Sequence, residues 1–226
     1  MATHTLTVGF DLDMTLIDSR PGIKDAYAAL SAATDTYIDT DLVTSRLGPP
    51  LEQEIRNWYP EERVAEIADR YRALYPEHAI TGTLAMEGAR EAVEAVQSIG
   101  AGAERLPAKG GGGRRVGGRA IVVTAKYEPN AKLHLKHLGI NADAVIGSLW
   151  AEGKAEALRE YGASVYVGDH TGDVRGARAA GALSVAVATG PCSEEELREA
   201  GADVVLPGLA AFPAWLEGYL ADASRA

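Results

Sequence analysis

A single cysteine, Cys192, stands in the 226 residues of the chain. That excludes an intramolecular disulfide and a cysteine-built zinc site. Cys192 follows Pro191 at an expected helix start and has no base near it in sequence, so it reads as an ordinary small side chain. No stretch approaches the roughly 18 consecutive apolar residues of a membrane helix. Met1 to Thr7 lacks a basic region followed by an apolar run, so no secretory signal is read there and the expected location is cytoplasmic. Positive charge is also scarce. Lys and Arg number 22 against 32 Asp and Glu, for a formal charge of -10. Such a chain is a poor general binder of nucleic acid, which rewards clustered cations. An anionic substrate would need local help from a metal ion or from a few placed cations.

Apolar material is ample: 46% of residues are hydrophobic and 24% charged, the proportions of a globular protein. The length suits one large domain, or one domain carrying a smaller insert. Leu6, Val8, Phe10 and Leu12 alternate with Thr7, Gly9 and Asp11, which predicts a strand. Apolar, β-branched runs at 120–123, 144–146, 165–167, 183–187 and 204–206 predict five more. Between them lie helical spacings, such as Ala89, Ala92, Val93 and Val96, then Ala155, Leu158 and Tyr161. Ser193 with Glu196 forms a capping-box pattern that opens another helix. The alternation predicts an α/β fold, a parallel sheet with helices on both faces, and directs attention to the carboxyl ends of its strands.

Two regions break that pattern. From about Asp18 to Ala85 there are only helix signals: Pro21 with Ile23, Tyr27 and Leu30, then Pro60 to Glu62 with Val64, Ile67, Ala68, Tyr71 and Tyr75. This reads as an all-helical insert behind the first strand. Five of the nine tyrosines lie in it, and helical spacing puts most of them in a core. The second region, Ala101 to Gly118, holds four consecutive glycines beside Lys109, Arg114 and Arg115. Its glycines follow a helix and precede a strand, the reverse of a phosphate loop, so it reads as a surface loop.

Chemistry concentrates in four short segments. Asp11 and Asp13 stand two apart where the first strand ends, and in extended backbone they project to one side. Such a pair suits a hard cation and a division between nucleophile and general acid/base. Asp169 and Asp173 follow the strand at 165–167, which suggests a metal site shared with Asp11. Asp173 is also placed to cap the following helix. Thr124 ends a strand, where its hydroxyl and the next backbone N–H are placed for a phosphate oxygen. Lys154 opens a helix, where it opposes the macrodipole and is best explained by a facing anion.

The order Asp11-x-Asp13-x-Thr15, Thr124, Lys154, Gly168-Asp169-x-x-x-Asp173 resembles the haloacid dehalogenase-like hydrolase superfamily. The stretches 10–19 (FDLDMTLIDS), 21–23, 48–51 and 122–127 (VVTAKY) are most similar to its phosphoglycolate phosphatase branch. The resemblance implies a Rossmann-like core over 1–17 and 86–226 and a helical cap over 18–85. It implies a Mg²⁺-dependent phosphatase of a small phosphorylated metabolite, phosphoglycolate being the familiar case, with no nucleic-acid or membrane partner. Asp11 would attack phosphorus, and Asp13 would protonate the leaving oxygen and then activate water. Asp11, the Asp13 carbonyl and Asp169 would hold Mg²⁺, with Asp173 in support. Thr124, the backbone at Ala125, and Lys154 would hold the phosphate. Two departures stand out: Met14 replaces the family's glycine, and Ala125 replaces Asn or Ser, which removes a side-chain donor.

Other scaffold activities stay open: a phosphomutase, a dehalogenase (against which Asp13 argues), or a non-catalytic phosphate binder. Arg20 and Arg46 are candidates for a second anionic group of the substrate. His170 reads as a loop side chain, and His134 with His137 as an exposed helix face. Trp215 and Tyr219 are expected to pack the last helix onto the core.

Overall fold

The computed structural model describes residues 4–100, 116–223 and 225. In chain order the elements are β1 (His4–Phe10), β2 (Ile17–Asp18), α1 (Arg20–Thr34), α2 (Thr40–Thr44), α3 (Leu51–Ile55), α4 (Val64–His78), β3 (Leu84–Ala85) and α5 (Ala89–Gln97). After them come β4 (Val116–Val123), α6 (Glu128–Leu138), β5 (Ala144–Ile146), α7 (Lys154–Glu160) and β6 (Ala163–Gly168). The chain closes with α8 (Thr171–Ala180), β7 (Leu183–Val187), α9 (Glu194–Glu199), β8 (Val204–Leu206) and α10 (Phe212–Ala223).

Six strands form one parallel sheet in the order β5-β4-β1-β6-β7-β8. Side chains alternate between its faces, as the period of a strand requires. Val8, Phe10, Ala120, Val122, Val165 and Val167 join one layer with α5, α6 and α10. Ile121, Val123 and Tyr166 join the opposite layer with α7 and α8. Both faces of the central strands are therefore buried, which is why they read as near-continuous apolar runs. Phe10 meets Phe212 edge-on at 5.4 Å, and Trp215 and Tyr219 pack against the same layer, which fixes α10. Gly9 keeps the other face thin: a Cβ there would come within 2.8 Å of the Tyr166 ring.

The helices α1 to α4 bury a core of their own, built from Ile23, Tyr27, Leu30, Ile55, Ile67, Tyr71 and Tyr75 among others. Here α1 and α4 are in close contact at Gly22, where a Cβ would lie 1.9 Å from the Ala79 carbonyl oxygen. Of the five tyrosines read there, Tyr37 alone is exposed. The helical reading of this region needs one correction. Ile17 pairs with Ala85, and Asp18 with Leu84, as a two-residue antiparallel ribbon where the chain leaves the sheet layer and returns. A pair this short leaves no periodicity to read. The short helices α2 and α3 carried no signal for the same reason.

The expected surface loop at 101–118 lies outside the described residues as far as position 115, and Gly117 and Gly118 belong to β4. A second correction concerns α6. His137 is exposed, but His134 is fully buried and meets Tyr75 of α4.

Candidate active site

The strand order reverses at β1: the chain runs outward through β4 and β5, then returns to β6 on the other side. A crevice opens at the carboxyl ends on either side of such a reversal. The candidate residues collect there. Asp11 follows β1, with its backbone N–H donating to the Val167 carbonyl. Thr124 follows β4, Asp169 follows β6, and Lys154 and Asp173 lie in the first turns of α7 and α8.

Lys154 Nζ donates to Asp11 Oδ1 at 2.8 Å, Asp173 Oδ1 at 2.6 Å and the Tyr166 hydroxyl at 2.8 Å. Tyr166 in turn donates to the Val123 carbonyl at 2.6 Å. Thr15 Oγ1 donates to Asp169 Oδ1 at 2.7 Å. Asp173 has the double task expected of it, since its Oδ2 accepts from the His170 backbone and so caps α8. His170 is the N-cap residue itself, its Nδ1 accepting from the Gly172 backbone at 2.9 Å. Asp13 faces a different set: Oδ1 accepts from Ser19 Oγ and lies 3.1 Å from Lys126 Nζ.

Asp11, Asp13, Thr124 and Ala125 line one cavity of about 540 Å³, together with Lys126 and residues of α1, α3 and α4. Arg46 also lines it, and two of its three nitrogens, Nη2 and Nε, donate to Glu54 at 2.6 and 3.1 Å. Arg20 does not. It pairs with its neighbour Asp18 on a separate shallow surface. Each arginine thus has a carboxylate partner of its own, and of the two only Arg46 lines the cavity.

Residues 8–178 match the model of the haloacid dehalogenase-like hydrolase family, and residues 154–212 match that of the HAD-hydrolase-like family. The chain belongs to the haloacid dehalogenase-like hydrolase family. A predicted phosphatase from Clostridium acetobutylicum superposes with a TM-score of 0.75 at 23% identity, over 96% of this chain and 100% of that one. A predicted phosphoglycolate phosphatase from Haemophilus somnus gives 0.72 at 19%, over 93% and 97%. The tyrosine-protein kinase PtkA of Mycobacterium tuberculosis is 29% identical over 195 residues, 80% of this chain. The chain spans 61% of the length of that curated relative.

At this edge of the sheet the carboxylates outnumber the cations where they are deepest. Asp11, Asp169 and Asp173 bring ligand oxygens within 4.8 Å of one another, and all three are buried. Among the described residues Lys154 is the one cation bonded to this group, so two negative charges are left over. Burial raises the Asp11 pKa to about 7, Lys154 pulling down and Asp173 pushing up. Burial, then Asp173 and Asp11, raises Asp169 well above the usual carboxylate range. Lys154 itself stays charged, because Asp11 and Asp173 outweigh the burial that would neutralise it. A surplus of two charges on hard oxygen donors is what a divalent cation such as Mg²⁺ would balance, so the donor set fits that ion.

Several partners in the site were not singled out beforehand. Lys126 Nζ donates to the Tyr75 hydroxyl at 2.6 Å, and Tyr75 lies 2.9 Å from His134 Nε2. An ammonium only donates, so Tyr75 accepts from Lys126 and is left to donate to Nε2. This chain ties α4 and α6 to Asp13. Lys126 stands two residues after Thr124, within the quoted VVTAKY stretch, but nothing in that spacing names a partner 51 residues away. Tyr166 sits mid-strand and reads as core. Met14 occupies the left-handed region at φ 60° and is 3% exposed. Its N–H donates to the Ile17 carbonyl and its carbonyl accepts from Thr189 Oγ1, so hydrogen bonds hold a turn that glycine adopts without strain.

Proposed function

We propose that this protein hydrolyses small phosphate monoesters with Mg²⁺ bound at Asp11, the Asp13 carbonyl and Asp169, the helices of 18–85 serving as a cap over a catalytic core of 1–17 and 86–226. The observation that carries the reading is the buried group of three carboxylates sharing one lysine, directly beneath the cavity that Asp11 and Asp13 line. When bound, Mg²⁺ would supply charge neutralisation for the phosphoryl oxygens.

The chain's own residues divide the work. Lys154 holds Asp11 by Oδ1, which leaves Oδ2 to attack phosphorus. As the bond to the leaving oxygen breaks, Asp13 gives that oxygen a proton. Ser19 and Lys126 hold Asp13 by one oxygen and leave the other free for this transfer. Asp13 then takes a proton from water, which attacks the aspartyl-phosphate. Inorganic phosphate leaves and the Asp11 carboxylate is restored. Thr124 and the backbone at Ala125 support the phosphoryl oxygens as donors, and Lys154 supports them by its charge.

Phosphate release from a panel of monoesters, measured with Mg²⁺ and with EDTA, tests this. Release should require the metal and fall by at least about 10⁴-fold in Asp11→Asn, which keeps shape but removes the nucleophile. An Asn variant as active as wild type excludes the covalent route. A parallel arm with ATP and a tyrosine peptide addresses the activity named for the mycobacterial relatives, in which a tyrosine hydroxyl rather than water accepts the phosphoryl group.

A further inference from the structure

The cavity above Asp11 says what kind of alcohol the ester carries. Its charged wall is already paired. Arg46 holds Glu54 through two hydrogen bonds, and Glu54 also accepts from Trp58 Nε1 at 2.8 Å. Arg72 pairs with Glu52 and, at 3.2 Å, with Asp69. Lys126 is held by Asp13 and Tyr75. Every cation lining the cavity therefore faces at least one carboxylate that matches its charge, although Arg72 Nε has no hydrogen-bond partner among the described residues. A carboxylate arriving on the substrate would have to share an already matched guanidinium with Glu52 or Glu54, with like charges at close quarters, or stay unpaired beside them, and either course is costly in a partly buried site.

The uncharged part of the wall is different. Tyr27 and Tyr71 pack with ring centroids 4.5 Å apart and planes tilted by 42°, and both line the cavity. Neither hydroxyl has a hydrogen-bond partner among the described residues, and burial holds both phenols neutral. Ile23, Val43 and Leu51 add aliphatic surface beside them. A volume of about 540 Å³ is in the range of pockets that enclose whole organic molecules, roughly 300–1,000 Å³, and is generous for a two-carbon acid.

We propose that this cavity selects phosphate esters of an uncharged alcohol, a ring or branched apolar body with neutral oxygens for Tyr27 and Tyr71, and discriminates against a second anionic group such as the carboxylate of phosphoglycolate. The proposal rests on the phosphatase reading for the place of the phosphate, and its test separates the two.

Benzylphosphonate and 4-carboxybenzylphosphonate share a non-hydrolysable head and differ in one charge. Their binding to the full chain with Mg²⁺, followed by calorimetry, should favour the uncharged compound at least tenfold. Glu54→Gln, which frees Arg46 while keeping an oxygen for Trp58, should erase or invert that preference. Equal or tighter binding of the carboxylated compound by wild type overturns the proposal, as does failure of both to bind at millimolar concentration. Hydrolysis of phenyl phosphate and 4-carboxyphenyl phosphate provides the second arm. Discrimination in binding with no turnover of any ester removes the phosphatase reading and leaves the pocket. Metal-dependent turnover without discrimination does the reverse.

Discussion

Two charged regions face each other across the cavity, and they are built on opposite principles. At the carboxyl edge of the sheet three buried carboxylates share Lys154. In the helical insert Arg46 and Arg72 each have carboxylates of their own. The first region keeps a surplus of charge in a place where unpaired charge is costly, and the second leaves none. The contrast locates the work. A surplus of negative charge calls for something outside the chain to complete it, in the proposed function a divalent cation, whereas a balanced wall can shape and select but has no charge to spend on binding an ion.

The sharpest way to break the comparison is to remove the cation from the unbalanced side. Lys154→Met leaves Asp11 and Asp173 buried without their ammonium, and removing one partner of a buried ion pair costs about 3–5 kcal/mol. Urea unfolding should register that loss, and any phosphatase activity should fall by at least about 10³-fold. The equivalent cut on the balanced side, Arg46→Met, should cost less, since its side chain is 36% exposed and water can take over. Similar stabilities for the two variants would mean that the surplus is not real.

That imbalance was legible before any coordinates, and the balance was not. Asp11, Asp13, Asp169 and Asp173 announce themselves because carboxylates at the ends of apolar strands contradict their surroundings, and Lys154 because it opposes a helix dipole. The six strands were legible, β1 from its alternation and the other five from apolar runs, although β5 and β8 at the sheet edges are only half-buried. The partners of Arg20 and Arg46 were not, because an ion pair depends on rotamer and approach, and a sequence shows neither. His134 misled for a related reason. One face of α6 meets the sheet layer through Ala131, Leu135 and Leu138, but α4 covers a further strip, and no periodicity within α6 announces a helix more than 50 residues upstream.

His134 bridges the two regions and supplies a smaller effect. Burial, with Lys126 nearby, lowers its pKa from 6.5 to about 3. Among the described residues Nδ1 has no hydrogen-bond partner, and the pull of the Asp13 carboxylate does not offset the cost of burying the charged ring. In the unfolded chain the imidazole gains a proton below pH 6.5, and in the folded chain it gains one only near pH 3. The unfolded state thus binds the extra proton across that window, and stability falls as the pH drops through it. Between pH 7 and pH 5 this residue should contribute a loss of about 2 kcal/mol. His134→Gln retains an acceptor for Tyr75 and does not titrate. The difference between wild type and variant, measured by urea unfolding at both pH values, should show that loss. Parallel pH profiles would mean that the ring is solvated and that α4 does not close over it.

The smallest expected effect is at Arg20, and it sharpens the comparison by standing outside it. Arg20 is half exposed and bonded to Asp18 two residues away, whose carboxyl it holds below the usual range through the side-chain hydrogen bond. The pair lies on a shallow surface apart from the cavity. Exposed pairs of this kind contribute about 0–1 kcal/mol, since solvent screens them and long side chains lose freedom in making them. Arg20→Ala should therefore change unfolding free energy by less than about 1 kcal/mol. It should also leave KM and kcat for any hydrolysed ester within about twofold, because Arg20 lies on a surface apart from the cavity that Asp11 lines. A rise in KM confined to esters with a second negative charge would show that Arg20 swings into the cavity when substrate binds. It would return to the insert the spare cation that its paired arginines lack.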